Sequence, residues 1–380
     1  MKILALFGTR PEAIKMAPVV NELSMDPFFQ IKVCVTGQHR KMLDQVLEFF
    51  EITPDFDLDI MKFDQDLYDI TSRVLLGLRE IFKSFKPDMV LVHGDTTTCF
   101  AGSLSAFYAQ IAVGHIEAGL RTGDLLAPYP EEANRSLTSR LTHIHFAPTE
   151  WSRNNLLEEN IPANTIFVTG NTVVDALLVA KTKVDQHQDW SFHCYGTART
   201  IVEANKPFVL ITGHRRENFG GGFASICGAI LELANQYSDL HFIYPLHLNP
   251  NVQKPVQQLL NQQSNIHLIS PLDYPPFVYL MSRCLFIMTD SGGIQEEAPS
   301  LNKSVLVMRE TTERPEAMQA GTILLVGTNK DKIIIEAGKL IKQNKTISED
   351  PKVTNPYGDG KASVRIKNIL KKWYTGETEN

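Results

Sequence analysis

Cysteine is scarce and scattered in this chain. The five thiols, Cys34, Cys99, Cys194, Cys227 and Cys284, are odd in number and form no CxxC pair. That excludes a disulfide framework, suits a reducing compartment and leaves buried, inert thiols as the expectation. No window approaches the roughly 20 apolar residues of a membrane span. The short apolar run Ile3–Phe7 is ended by Gly8-Thr9-Arg10-Pro11 and reads as a first strand, too short for a signal h-region, so a cytoplasmic protein without a membrane partner is expected. Neither sign of charge dominates: 37 Lys and Arg stand against 43 Asp and Glu, well interspersed. Nothing there invites nucleic acid. The GxGxxG of dinucleotide sites and any metal-ligand spacing are also missing, so no cofactor and no metal are expected.

What is present is an alternation. In 380 residues, 43% hydrophobic, two domains are the natural expectation. Apolar runs at Ile3–Phe7, Ile31–Thr36, Met89–Val92, Ala112–Ile116 and Ile144–Ala147 alternate with helical patterns such as Glu12–Leu23, Lys41–Phe50, Asp69–Phe85 and Thr97–Ala109. Near-continuous apolar strands between helices predict a parallel sheet covered on both faces. The pattern lapses after Asn171 and restarts with Phe208–Thr212, His241–Tyr244, His267–Ile269, Leu285–Thr289 and Val305–Met308, before a last helix at Ala362–Tyr374. The fold class is therefore α/β, with two Rossmann-like domains, the first covering 1–172 and the second 173–361, and an interdomain cleft. Ligands of such sheets sit beyond the carboxyl ends of strands.

The chemistry-bearing residues fall there. Gly8-Thr9-Arg10-Pro11-Glu12, with Lys15 a turn later, is either an anion site at a helix start or a solvated basic pair. His93-Gly94-Asp95-Thr96 follows a strand, where Asp95 or a neighbouring Thr could cap the next helix and Asp95 could equally be an acid/base group. Glu117 directly follows a buried strand and needs a partner; Glu131 and Glu132 open a helix, where carboxylates are comfortable. Converging carboxylates suit proton transfer. His143 and His145 fit hydrogen-bonded structural histidines better than metal ligands. In the second half, His214 between Gly213 and the arginines Arg215 and Arg216, and Ser291-Gly292-Gly293 before a helix carrying Glu297, suit phosphate and ribose. Thr312-Glu313-Arg314 is a further charged loop.

Together the strings GTRPEAIKMAPV, TGQH, VLVHGDTTT, GHIEAGLRT, PEEANR, VTGNTVVDAL, TGHRREN, DSGGIQEEAPSL, TTERPEA and NPYGDG resemble the bacterial UDP-N-acetylglucosamine 2-epimerases along essentially the whole chain. The resemblance implies a GT-B-like fold, the two-domain architecture of many nucleotide-sugar glycosyltransferases, with the C-terminal helix 362–380 packing back on the first domain. It implies reversible conversion of UDP-N-acetylglucosamine to UDP-N-acetylmannosamine by loss and re-addition of UDP through 2-acetamidoglucal, supplying N-acetylmannosamine for cell-surface polysaccharide. It carries catalytic roles to Asp95, Glu117, Glu131 and His214. Nucleotide contacts fall to Arg10, Lys15, Phe277, Ser291, Gly292, Gly293, Glu297 and Arg314. Gln38, Arg215 and His247 match part of a site for a second, activating UDP-N-acetylglucosamine, while Lys41 and Asp64 replace the Gln and Arg expected there and Leu272 replaces a Gln seen in some relatives. A homodimer is implied. The rivals are a hydrolysing epimerase releasing N-acetylmannosamine and UDP, a glycosyltransferase of the same fold and a catalytically silent sensor; the GLRT and PEEANR strings resemble the non-hydrolysing branch.

Overall fold

A computed structural model describes residues 1–37, 40–62, 64–186, 195–312, 314–345 and 355–377. The chain forms two compact units, one of Met1–Ala176 with Tyr357–Asn380, the other of Leu177–Pro356.

Unit 1 begins with β1 (Lys2–Phe7), α1 (Arg10–Ser24), β2 (Gln30–Val35), α2 (Arg40–Phe49), β3 (Phe56–Asp57) and α3 (Leu67–Phe85). It continues with β4 (Met89–His93), α4 (Thr97–Tyr108), β5 (Ala112–Ile116), α5 (Glu131–Leu141), β6 (Ile144–Ala147), α6 (Glu150–Glu158) and β7 (Ile166–Val168). The seven strands form one sheet in the order β3-β2-β1-β4-β5-β6-β7, every neighbouring pair parallel. Every residue of β4 is buried, as is all of β1 after Lys2, because helices cover both faces of the sheet. The chain leaves unit 1 within α7 (Thr172–Gln186).

Unit 2 holds α8 (Arg199–Glu203), β8 (Phe208–Thr212), α9 (Gly221–Gln236), β9 (His241–Pro245), α10 (Pro250–Leu260) and β10 (Ile266–Ile269). After these come α11 (Tyr274–Arg283), β11 (Ile287–Thr289), α12 (Gly292–Glu297), β12 (Val305–Val307), α13 (Pro315–Gln319), β13 (Ile323–Leu325) and α14 (Lys330–Lys345). Its parallel sheet runs β10-β9-β8-β11-β12-β13. The last helix, α15 (Ala362–Thr375), belongs to unit 1 and lies against α1, with ion pairs Lys367–Glu22 and Lys371–Asp26. Its first turn is held by Asp175, whose carboxylate accepts the backbone N–H groups of Ala362 and Ser363 at 3.1 and 2.9 Å.

The strands β3, β7 and β13, of two, three and three residues, are absent from the runs expected from the sequence. Among the described residues Cys34, Cys99, Cys227 and Cys284 are free and buried, and no helix is long and apolar enough to cross a membrane. Cys194 lies outside the described residues.

Candidate active site

The loops after β1 and β4 are knotted by one carboxylate. Thr9 caps α1, and Glu12 answers it: Glu12 Oε2 accepts from the backbone of Gly8 and Thr9 at 3.0 and 2.8 Å, a capping box. Its other oxygen accepts from Thr96 Oγ1 at 2.6 Å, and Thr96 in turn caps α4. Burial raises the Glu12 pKa against these bonds. Gly8 is obligatory here, since a Cβ would stand 2.0 Å from Thr36 Oγ1 and 2.7 Å from Thr98 Oγ1. Arg10, the first residue of α1, thus issues from a fixed turn.

With Thr96 as the cap, Asp95 is left for something else. Its carboxylate pairs with Arg135, whose other nitrogen donates to Glu132 Oε2 at 3.0 Å. Asn134 donates to the Asp95 carbonyl at 2.9 Å, docking α5 against the loop. Glu131 and Glu132 divide their labour. Glu132 is 2% exposed and accepts the N–H groups of Thr122 and Gly123, both at 3.0 Å, so it holds the preceding loop. Glu131, half-buried, lies on the helix face that carries Asn134 and Arg135.

Glu117 follows β5 with φ of +63°, a left-handed conformation costly for a residue with a side chain. Its Oε2 pairs with Lys15 and accepts from Asn171 Nδ2 at 2.9 Å. Burial opposes the charge, but the Lys15 ammonium, His93 and the Asn171 amide together outweigh it and hold the carboxyl below the usual range. Lys15, expected at a nucleotide, is therefore engaged with a carboxylate in this state. His93, the last residue of β4, lies 3.8 Å from the same oxygen. His143 and His145 bond backbone groups: the former accepts from Val113 N–H at 3.2 Å, the latter reaches the Ser139 carbonyl at 3.0 Å.

In unit 2, Asp290 organises the loop after β8. Fully buried, it accepts from the backbone of His214 and Arg215 at 2.9 and 2.8 Å and from Asn218 Nδ2 at 3.2 Å. His214 Nδ1 lies 3.4 Å from Asp290 Oδ1, and its ring stacks on that of His247 with centroids 5.4 Å apart. Burial lowers the His214 pKa, against the opposing pull of Asp290. Ser291 precedes α12 without a side-chain cap bond, and its N–H is taken by Thr289 Oγ1 at 2.9 Å. Space is open at Gly293, whereas Gly292 is closed by Arg314, whose guanidinium would meet a Cβ at 2.5 Å. Arg314 Nε donates to buried Glu296 at 2.7 Å, and Tyr274 donates to Glu297 at 2.8 Å. Phe277 is half-buried on α11. Gln38 lies outside the described residues.

Each unit thus gathers its share of the expected residues: Arg10, Lys15, Asp95, Glu117 and Glu131 in the first, His214, Arg215, His247, Phe277, Ser291, Gly292, Gly293, Glu297 and Arg314 in the second. Sequence reasoning passed over Glu12, His93, Asp290 and Arg135 as supports. The one signal for Glu12 was the Thr-x-x-Glu spacing after a strand.

Two parallel-sheet units, one offering carboxylates and the other cationic and small-residue loops, define a sugar-nucleotide enzyme of the two-domain α/β class. Residues 21–371 match the family described as UDP-N-acetylglucosamine 2-epimerase. The UDP-N-acetylglucosamine 2-epimerase of Yersinia pestis is 56% identical over 371 residues, covering 98% of each chain. A solved UDP-GlcNAc 2-epimerase from Neisseria meningitidis, bound to UDP-GlcNAc, matches with TM-score 0.88 at 54% identity over 98% of this chain and 100% of that one. The Methanocaldococcus jannaschii enzyme, in complex with UDP-GlcNAc and UDP, matches with TM-score 0.80 at 33% identity over 98% and 99%. The chain belongs to the UDP-N-acetylglucosamine 2-epimerase family.

Proposed function

We propose that the chain interconverts UDP-N-acetylglucosamine and UDP-N-acetylmannosamine without hydrolysis. The observation that carries this reading is the gathering of Asp95, Glu117 and Glu131 on three neighbouring elements of unit 1, two of them already paired to cations. The C2 hydrogen is weakly acidic, so its removal must be helped by departure of UDP from C1. One carboxylate takes the C2 proton as the C1–O bond breaks, leaving 2-acetamidoglucal, and another returns a proton to the opposite face as UDP re-adds. His214, placed beside Asp290, addresses the departing diphosphate together with the Arg10 and Arg314 guanidiniums, the Ser291 hydroxyl and the backbone N–H groups of Gly292 and Gly293. Glu297 holds ribose and Phe277 the uracil. A binding-only sensor would have no use for three such carboxylates.

Proton NMR in D2O with UDP-N-acetylglucosamine tests this. Deuterium should enter C2 of both epimers without added NAD or metal, while stoichiometric free N-acetylmannosamine would establish the hydrolysing route instead. Asp95→Asn, Glu117→Gln and Glu131→Gln should each lose about 10²–10⁴-fold in turnover yet bind UDP. Near-normal turnover in Glu117→Gln would break the mechanism. A cytoplasmic homodimer is part of the proposal; the exposed Leu76, Phe107 and Tyr108 on α3 and at the end of α4 suit a face between copies, and a monomer by sedimentation would refute it. Whether UDP-N-acetylglucosamine also activates through Gln38, Arg215 and His247 is read from a sigmoidal rate curve that Arg215→Ala should flatten.

A further inference from the structure

His93 is 3% exposed, and neither ring nitrogen has a hydrogen-bond partner among the described residues. Other buried histidines of unit 1 do not share this fate: His115 Nε2 lies 2.7 Å from the Gly94 carbonyl and His145 Nε2 3.0 Å from that of Ser139. A buried polar ring left unbonded is costly, so a partner at another stage of the cycle is the natural explanation. The charged and titratable groups facing it are Glu117, Lys15, Asp95 and His115. Burial pulls its pKa down to about 4, so at neutral pH the ring carries one N–H and one open lone pair.

Glu117 Oε2 lies 3.8 Å from His93 Nε2, just outside hydrogen-bond range. As a carboxylate, Glu117 only accepts, and Lys15 and Asn171 both donate to its Oε2. Once it has gained a proton it becomes a donor, and its attraction to Lys15 falls away. A movement of about 1 Å then brings its O–H to the open lone pair of a neutral imidazole. Because the reaction runs both ways, Glu117 is protonated on one side of the intermediate whichever face it serves.

We propose that His93 is a positioning residue that accepts the hydrogen bond of protonated Glu117 and so holds the acid between turnovers of the proton, until that bond is released and the O–H returns its proton to C2. The proton leaves C2 as the Glu117 O–H forms, and His93 takes no proton itself. This rests on the acid/base role given to Glu117 above.

The test uses full-length His93→Phe, His93→Gln and His93→Asn. Phenylalanine fills the space with no acceptor, so the melting temperature and UDP affinity should hold while kcat falls about tenfold to a hundredfold, a hydrogen bond's worth. Glutamine places an amide oxygen near the former Nε2 and should regain part of the rate; asparagine falls short and should not. The ratio of C2 deuterium in recovered substrate to that in product should also change in His93→Phe, which a merely structural role would not do. Near wild-type kcat in folded His93→Phe overturns the proposal. If that variant fails to fold, equal losses in His93→Gln and His93→Asn overturn it. Absence of turnover in the wild type would instead refute the epimerase reading.

Discussion

Replacing Lys15 with Met isolates a buried ion pair of unit 1. The Lys15 and Glu117 side chains are 12% and 9% exposed, so the pair is buried. Removing one member of a buried pair costs about 3–5 kcal/mol, because the survivor is left charged without compensation. For a unit of this size each kcal/mol moves the midpoint by about 2–4 °C, giving a fall of roughly 6–20 °C at pH 7.5. The pH dependence is the sharper signature. In the wild type the Glu117 carboxyl titrates below its unfolded value. Its ionised form therefore stabilises the fold above the ordinary carboxylate range, and this contribution fades as pH falls through the lower folded value. In Lys15→Met burial is opposed only by His93 and the Asn171 amide, the folded state holds a proton more tightly, and the variant gains relative stability on acidification. The deficit should be widest near pH 7.5 and shrink toward pH 5. Differential scanning calorimetry across that range reads it. A deficit that is constant with pH, or below about 1 kcal/mol at pH 7.5, would refute the reasoning.

Two further outcomes follow from packing and hydrogen bonding. Gly8→Ala should cost about 1–3 kcal/mol by driving a methyl into Thr36 and Thr98, and Thr36→Ala in the same chain should recover part of it in urea unfolding; an unchanged Gly8→Ala midpoint would show that the turn can shift. Asp290→Asn should lose about 1–3 kcal/mol, since an amide cannot accept from the His214 and Arg215 backbone and Asn218 together, and UDP affinity by calorimetry should fall with it. Unaltered UDP binding would separate Asp290 from the nucleotide.

Most strands of the two sheets could be read from the sequence because burial on two faces writes itself as continuous apolar runs. Their carboxyl ends then named the places to look, and Glu117 stood out because a strand-end carboxylate has no cheap local use. What could not be read was partnership. His93 looks like the tail of an apolar strand, and its importance lies in its distance to Glu117, 24 positions on. Asp290 reads as the first residue of a small turn, yet its bonds go to the loop after β8, more than 70 residues earlier. Asp95 was ambiguous between cap and acid because both uses favour the same position; Thr96 takes the cap and Arg135 the carboxylate. Local propensity decides such choices only when no distant side chain competes.

The return of α15 to unit 1 makes the order of synthesis matter. Unit 2 lies wholly between the two segments that build unit 1. On the ribosome it can emerge entire and fold while unit 1 still lacks its closing helix. Until residues 362–363 arrive, Asp175 has no backbone amides to accept, and the acidic side chains Glu22 and Asp26 wait for Lys367 and Lys371. The half that carries the three carboxylates is thus completed last, and a chain released early leaves bare the face of α1 that α15 covers.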